Sequence, residues 1–101
     1  MDRERAEFQL RQFAHTFRRD GSLHGPGSRR LYHGQIPRTI TLGGTVRVTR
    51  MCLQSALATA VVSPDWPIEL PPSAEPIRPL IYKALEETKD TKPRGQGGDR
   101  G

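Results

Sequence analysis

Proline restricts this chain more than any other residue type. Six of its nine prolines fall between residues 63 and 79, in the run SPDWPIELPPSAEPIRP. Each proline fixes its own φ angle and removes a backbone hydrogen-bond donor that regular helices and central strands need. We therefore expect residues 63–79, the Pro-rich segment, to be extended or turn-like and to wrap the outside of the fold. Regular helices and strands are predicted elsewhere.

The N-terminal residues 3–19 have the pattern of an amphipathic helix. Asp2 can cap the start, and Gly21 is expected to end the helix. Apolar residues recur at three- and four-residue steps, which places them on one face. These residues are Ala6, Leu10, Phe13, Ala14 and Phe17.

Residues 37–50 alternate polar and apolar side chains on either side of two adjacent glycines, which predicts a β-hairpin. A two-residue turn would pair apolar side chains with polar ones across the strands. A three-residue loop at 43–45 pairs apolar with apolar and gives the hairpin one apolar face, so we predict that loop. The expected pairs are Leu42 with Val46 and Ile40 with Val48.

Two further segments have helical character. Residues 51–62, MCLQSALATAVV, are the most apolar run in the chain. Their spacing and alanine content favour a helix, although the β-branched residues at 59–62 also suit a strand. Residues 79–88 are predicted to form a short helix with a proline in its first turn.

Together these elements predict a small α+β domain over residues 1–88, built from the N-terminal helix, the hairpin and one or two further short helices. Residues 20–35 contain four glycines and are expected to form a flexible loop. Residues 89–101 are charged and glycine-rich, which predicts a disordered tail. Hydrophobic residues make up only 34% of the chain, below the usual share of nearly half. A homodimer would enlarge the small core that this composition allows.

Charge is spread unevenly along the chain. Residues 1–50 hold ten arginines and no lysine against four acidic residues, whereas residues 51–101 hold six basic and seven acidic residues. This asymmetry indicates an acidic partner for the first half, such as nucleic acid, an anionic lipid or an acidic protein surface. A GC-rich gene would produce the same excess of arginine over lysine without any binding role.

The leading hypothesis is a non-enzymatic regulatory or accessory protein that binds nucleic acid, with RNA as the expected ligand. Arginine is favoured for this role because its planar guanidinium grips phosphate with two hydrogen bonds at once. The candidate nucleic-acid-binding residues are Arg5, Arg11, Arg18, Arg19, Arg29, Arg30, Arg38, Arg47 and Arg50.

The alternative hypothesis is a protein-binding adaptor or accessory factor that uses the Pro-rich segment and the hairpin edge. Extended proline-containing segments dock on other proteins at a low entropic cost. The candidate partner-binding residues are Trp66, Pro71, Pro72 and Tyr82. Small size and arginine bias are also typical of an accessory protein from a compact genome, such as a viral one. Membrane-surface association is a weaker third option, because the N-terminal helix is short and weakly apolar.

Catalysis is not expected, because the sequence lacks the usual combinations of catalytic residues. His15, His24 and His33 have no metal-ligand spacing to cysteines or carboxylates, and Cys52 is better explained as a small apolar core residue. We therefore expect neither a metal nor a cofactor. A lone cysteine, no apolar leader and no apolar run of membrane-spanning length predict an intracellular protein, in cytoplasm or nucleus.

Overall fold

The computed structural model describes residues 1–23 and 37–92, and within these residues the fold contains three α-helices and one two-stranded antiparallel sheet. The α+β class is therefore confirmed, and residues 51–62 belong to a helix and not to a strand. The elements are α1 (Arg3–Asp20), β1 (Thr39–Leu42), β2 (Val46–Thr49), α2 (Arg50–Val62), a 3-10 helix (Pro72–Ile77) and α3 (Arg78–Glu87).

Helix α1 begins and ends at the residues that the sequence indicates. The Oδ1 atom of Asp2 accepts a hydrogen bond of 3.1 Å from the backbone N–H of Arg5, which satisfies a donor of the first turn. Gly21 ends the helix in the left-handed conformation with φ of 76°. The buried face holds four of the five predicted residues, whereas Phe17 is only partly buried; the buried residues are Ala6, Leu10, Phe13, Ala14 and Thr16.

The hairpin has the predicted three-residue loop and register. Leu42 pairs with Val46 and Ile40 pairs with Val48, and all four side chains are buried. Residues of a strand alternate between its two faces, so the other four residues lie on the opposite, exposed face. These residues are Thr39, Thr41, Arg47 and Thr49.

Helix α2 follows β2 without a connecting loop. Thr49 ends the strand and also caps the helix, since its Oγ1 accepts a 3.0 Å hydrogen bond from the N–H of Cys52. The cap fixes the start of the helix at Arg50. The helix buries Leu53, Ala56, Leu57 and Ala60.

The second half of the Pro-rich segment, which we expected to be extended or turn-like, forms a regular 3-10 helix. Residues 67–71 have no regular structure, but Pro72–Ile77 forms a 3-10 helix. Pro72 suits the first turn because the N–H that it lacks has no partner there in any helix. A 3-10 helix has three residues per turn, so Ala74 and Ile77 lie on one side, and both are buried in the core. This burial offsets the poor fit of proline to a regular helix.

The described chain extends slightly into both segments that were predicted to lack regular structure. Leu23, in the expected loop 20–35, is fully buried, and its N–H donates to Oε1 of Gln54. Thr91, in the expected tail 89–101, has its Oγ1 2.7 Å from Nδ1 of His15. The rest of both segments, residues 24–35 and 93–101, lies outside the described residues. Among the described helices, none has the length and apolar character required to cross a bilayer.

Candidate functional site

The nine candidate arginines do not form one continuous surface. Arg29 and Arg30 lie outside the described residues. The other seven fall into three groups: two in contacts between α1 and the C-terminal part of the chain, two that are half-buried, and three that are exposed on or beside the hairpin.

Arg11 and Arg18 connect α1 to α3. The guanidinium of Arg18 donates from Nε to Oγ1 of Thr88 at 3.1 Å and from Nη2 to the carbonyl oxygen of Leu85 at 2.8 Å. This carbonyl lies in the last turn of α3, where helices leave acceptors unsatisfied. Arg11 lies 3.6 Å from a carboxylate oxygen of Glu87. Both side chains therefore support the fold.

Arg19 and Arg50 are half-buried at element ends. Arg19 lies in the last turn of α1, where a positive charge is favoured by the helix dipole. Arg50 is the first residue of α2, and its N–H donates to the carbonyl oxygen of Arg38 at 2.7 Å, which extends the hairpin ladder by one bond. Both side chains are therefore less exposed than those of Arg5, Arg38 and Arg47.

Arg5, Arg38 and Arg47 are exposed, and none of them forms an ion pair with another described residue. Arg47 lies in β2 directly opposite Thr41. Arg38 precedes β1. Arg5 lies beside the hairpin loop, since a β-carbon on Gly44 in this loop would lie 4.0 Å from its Nη1 atom. We call these arginines and the exposed strand threonines the basic hairpin surface: Arg5, Arg38, Thr39, Thr41, Arg47 and Thr49.

Acidic residues are absent from a long part of the sequence around this surface. No aspartate or glutamate occurs between Asp20 and Asp65. Both strands, the hairpin loop and α2 therefore contain no carboxylate side chain. The charge of Arg38 and Arg47 is not neutralised from within their own elements.

Gln9 helps to position this surface, and no sequence pattern predicts that role. Its Oε1 accepts from the N–H of Gly43 at 2.9 Å, and its Nε2 donates to the carbonyl oxygen of Thr41 at 3.3 Å. The N–H of Asp2 also donates to the carbonyl oxygen of Gly43 at 2.8 Å. These bonds fix the hairpin loop against the first turns of α1, where Arg5 lies.

A second surface is an open groove between the outer face of α2 and residues 66–71, with a volume of about 1290 Å³. Trp66 lies at the side of this groove, with 68% of its surface exposed. Ile68 takes the inward position instead and is 1% exposed. We call this feature the α2 groove.

The four candidate partner-binding residues have different positions relative to the α2 groove. Trp66 and Pro71 line it, whereas Pro72 is exposed at the start of the 3-10 helix. Tyr82 supports the groove wall from α3, since its Oη donates to the carbonyl oxygen of Trp66 at 2.9 Å. The structure thus brings Trp66, Pro71 and Tyr82 together.

Charges around the α2 groove are predominantly negative. Arg78 lines it, but its guanidinium donates to the carboxylate of Glu75 and to the carbonyl oxygen of Ile68. The hydrogen bond from Arg78 lowers the pKa of Glu75, and the same bond raises the pKa of Arg78. Glu69 lines the groove, Asp65 precedes Trp66, and both are exposed without an ion pair to a described residue.

Groups suited to chemical catalysis are sparse in the described part of the chain. Cys52 is half-buried against the core, and burial raises the pKa of its thiol, which disfavours the reactive thiolate. Over residues 1–23 and 37–92, no three histidine, cysteine, aspartate or glutamate side chains are grouped to hold a metal ion. Comparisons with protein-family models, curated proteins and solved structures found no match to this chain.

Proposed function

We propose that this protein binds nucleic acid, with RNA as the expected ligand, by contacting phosphates through the basic hairpin surface. The observation that carries the proposal is the exposed face of β1 and β2. It presents Arg47 among three threonines, with no carboxylate in either strand. Arg38 adds a charge beside β1, and Arg5 adds one beside the hairpin loop.

The side chains on this face match the chemistry of a phosphodiester backbone. Arginine forms paired, charge-assisted hydrogen bonds to phosphate oxygens, and threonine hydroxyls donate to the same atoms. Strand Thr39–Leu42 and strand Val46–Thr49 present no aromatic side chain on the exposed face, so this face has no platform for base stacking. Binding through this face depends on contacts to the phosphodiester backbone of the nucleic acid and shows little base specificity.

Fewer of the nine candidate arginines then contact the nucleic acid, and the protein keeps a regulatory or accessory role. Arg11 and Arg18 are assigned to the contact between α1 and α3 and not to the ligand. A protein that binds RNA without catalysis acts as a regulatory or accessory factor, and RNA as ligand implies a location in the cytoplasm or nucleus.

Salt dependence tests the proposal. The affinity of the whole chain for a fluorescent single-stranded RNA is measured by anisotropy at increasing salt concentrations. Three arginine–phosphate contacts predict a slope of about −2 in the logarithm of the binding constant against the logarithm of salt concentration. Replacing Arg47 by alanine should make the slope less steep by about 0.7, and replacing Arg5, Arg38 and Arg47 together should abolish binding.

The matched control is Lys89→Ala, which removes one positive charge from an exposed residue that is ion-paired with Glu86. It should leave both affinity and slope close to those of the unmodified protein. Binding that survives the triple substitution, or no binding at low salt, contradicts the proposal. A duplex DNA of equal length, measured in parallel, shows whether RNA is the preferred ligand.

A further inference from the structure

The outer face of α2 is unusual for an exposed helix because it carries no charge. No charged residue occurs from Met51 to Val62 in a chain that is 27% charged. Met51 is 65% exposed at the rim of the α2 groove, and Ser55 and Thr59 line it further along the helix. Depletion of charged residues is typical of the centre of a protein–protein interface.

The opposite wall of the α2 groove is held in a defined shape. Pro67 and Pro71 fix their own φ angles, and the hydrogen bond from Tyr82 holds the backbone of Trp66. The indole is therefore presented to solvent from a restrained segment, so binding a partner loses little conformational entropy. Tryptophan in such a position is among the residues that most often dominate binding energy.

The size of the α2 groove indicates the kind of occupant. Small side chains line its helical wall, including Cys52, Ser55 and Ala56. Its volume of about 1290 Å³ exceeds the range of pockets that enclose a single small molecule, about 300–1000 Å³, and the groove is open along one side. These dimensions fit several consecutive side chains of a peptide segment.

The charge of the α2 groove decides between possible occupants. Glu69 lines the Pro-rich side, and Asp65 directly precedes the lining residue Trp66. The positive charge of Arg78 is neutralised by Glu75, while the whole chain has a net charge of +5. In a symmetric dimer formed through this groove, two surfaces of the same negative sign would face each other, and like charges disfavour that contact. Phosphate groups are disfavoured for the same reason.

We propose that the α2 groove binds an extended segment of a partner protein in which a large apolar side chain is adjacent to lysine or arginine. The apolar side chain packs between Trp66 and Met51, and the basic side chain lies against Glu69 and Asp65. This site is separate from the basic hairpin surface and does not depend on nucleic-acid binding.

Selection from a display library of random twelve-residue peptides on the whole chain tests the proposal. Selected peptides should be enriched in a tryptophan, phenylalanine, leucine or methionine next to lysine or arginine. A synthetic peptide of the enriched sequence should bind Trp66→Ala at least about tenfold more weakly than the unmodified protein, as is typical of a dominant interface tryptophan. Ser55→Arg, which fills the groove, should abolish binding.

Two controls separate a binding effect from an effect on folding. Phe8→Ala removes another exposed aromatic side chain, 49% exposed on α1, and should leave peptide affinity unchanged. Thermal unfolding followed by circular dichroism should show that Trp66→Ala and Ser55→Arg remain folded. RNA binding should be retained by Trp66→Ala, since the two sites are separate.

A charge reversal tests most directly whether Asp65 and Glu69 select the basic residue of the peptide. The double variant Asp65→Lys with Glu69→Lys should select peptides with aspartate or glutamate beside the apolar residue, whereas the control Asp90→Lys should select the original basic class. The proposal is overturned if the double variant selects the same basic peptides as the unmodified protein, or if the peptide binds Trp66→Ala with unchanged affinity. A dimer detected by sedimentation equilibrium and lost in Ser55→Arg also overturns it, because a second copy would then occupy the groove.

Discussion

At the scale of single residues, Gly43 has no room for a side chain. Its φ of 60° lies in the left-handed region, and a β-carbon there would lie 2.7 Å from the backbone oxygen of Asp2 and 3.2 Å from the β-carbon of Ala6. Glycine is required by both the loop conformation and the close approach of α1. The hairpin loop and the start of α1 therefore depend on each other.

Gly43→Ala should lower the free energy of unfolding by at least about 2 kcal/mol, because left-handed strain and overpacking add. Urea denaturation followed by circular dichroism measures this change. Gly44→Ala is the matched control, since its φ of 83° carries similar strain but a β-carbon there meets only the Arg5 guanidinium at 4.0 Å. It should cost about 1 kcal/mol. Equal losses in the two variants would contradict the role assigned to the contact with α1.

Arg18 shows how a residue that resembles a ligand contact in the sequence can serve the fold. Arg18→Ala should destabilise the protein by about 1–3 kcal/mol, because hydrogen bonds from a charged donor to Thr88 and Leu85 are lost. Its effect on RNA affinity should be small. Arg5→Ala, on the same helix and exposed, should change stability by less than about 0.5 kcal/mol while weakening RNA binding. If Arg18→Ala weakened RNA binding and left stability unchanged, Arg18 would belong to the binding surface.

At the scale of elements, α1 packs mainly against α3, and ion pairs cross this contact. Nζ of Lys83 donates to Oε1 of Glu7 at 2.9 Å, and Arg3 approaches the other oxygen of Glu7 at 3.2 Å. The hydrogen bond from Lys83 is the main cause that lowers the pKa of Glu7 below its ordinary value of 4.5. A carboxylate with a lowered pKa in the folded state stabilises the fold wherever it is ionised.

The contribution of Glu7 to stability should be fully present above its ordinary pKa of 4.5 and lost as the pH falls through its lower pKa in the folded protein. Glu7→Gln should therefore have a lower Tm than the unmodified protein near neutral pH. The two Tm values should converge as the pH falls below that lowered pKa. Tm measured across this pH range by circular dichroism tests the expectation, and a constant difference at every pH would refute it.

The ends of the helices and strands also show which sequence signals were sufficient to predict them. The start of α1 at Asp2, its end at Gly21 and the hairpin register follow from signals within a few residues of each element. The 3-10 helix was missed because its formation depends on burying Ala74 and Ile77 against distant parts of the chain. Proline content describes the backbone of this segment alone and contains no information about that core.

At the scale of the whole molecule, the charge asymmetry of the sequence is redistributed by folding. Helix α3 and the residues after it come from the acidic half, and Glu87 lies against Arg11 of the basic half. The hairpin and α2, which contain no acidic residue, receive no such compensation from their own side chains. Among the described residues, the exposed arginines without an ion pair lie on the basic hairpin surface, while Glu69 lines the α2 groove with the opposite charge.

The α+β class, the limits of α1 and the pairing of the hairpin can be predicted from the sequence, because caps, glycines and apolar periodicity act over a few residues. The exposure of individual side chains depends instead on how the elements pack together. Arg18 donates to Thr88, seventy positions along the chain, and Trp66 is exposed on a backbone that Tyr82 holds from sixteen positions away. Exposure depends on contacts between residues far apart in the chain, and no local pattern encodes those contacts.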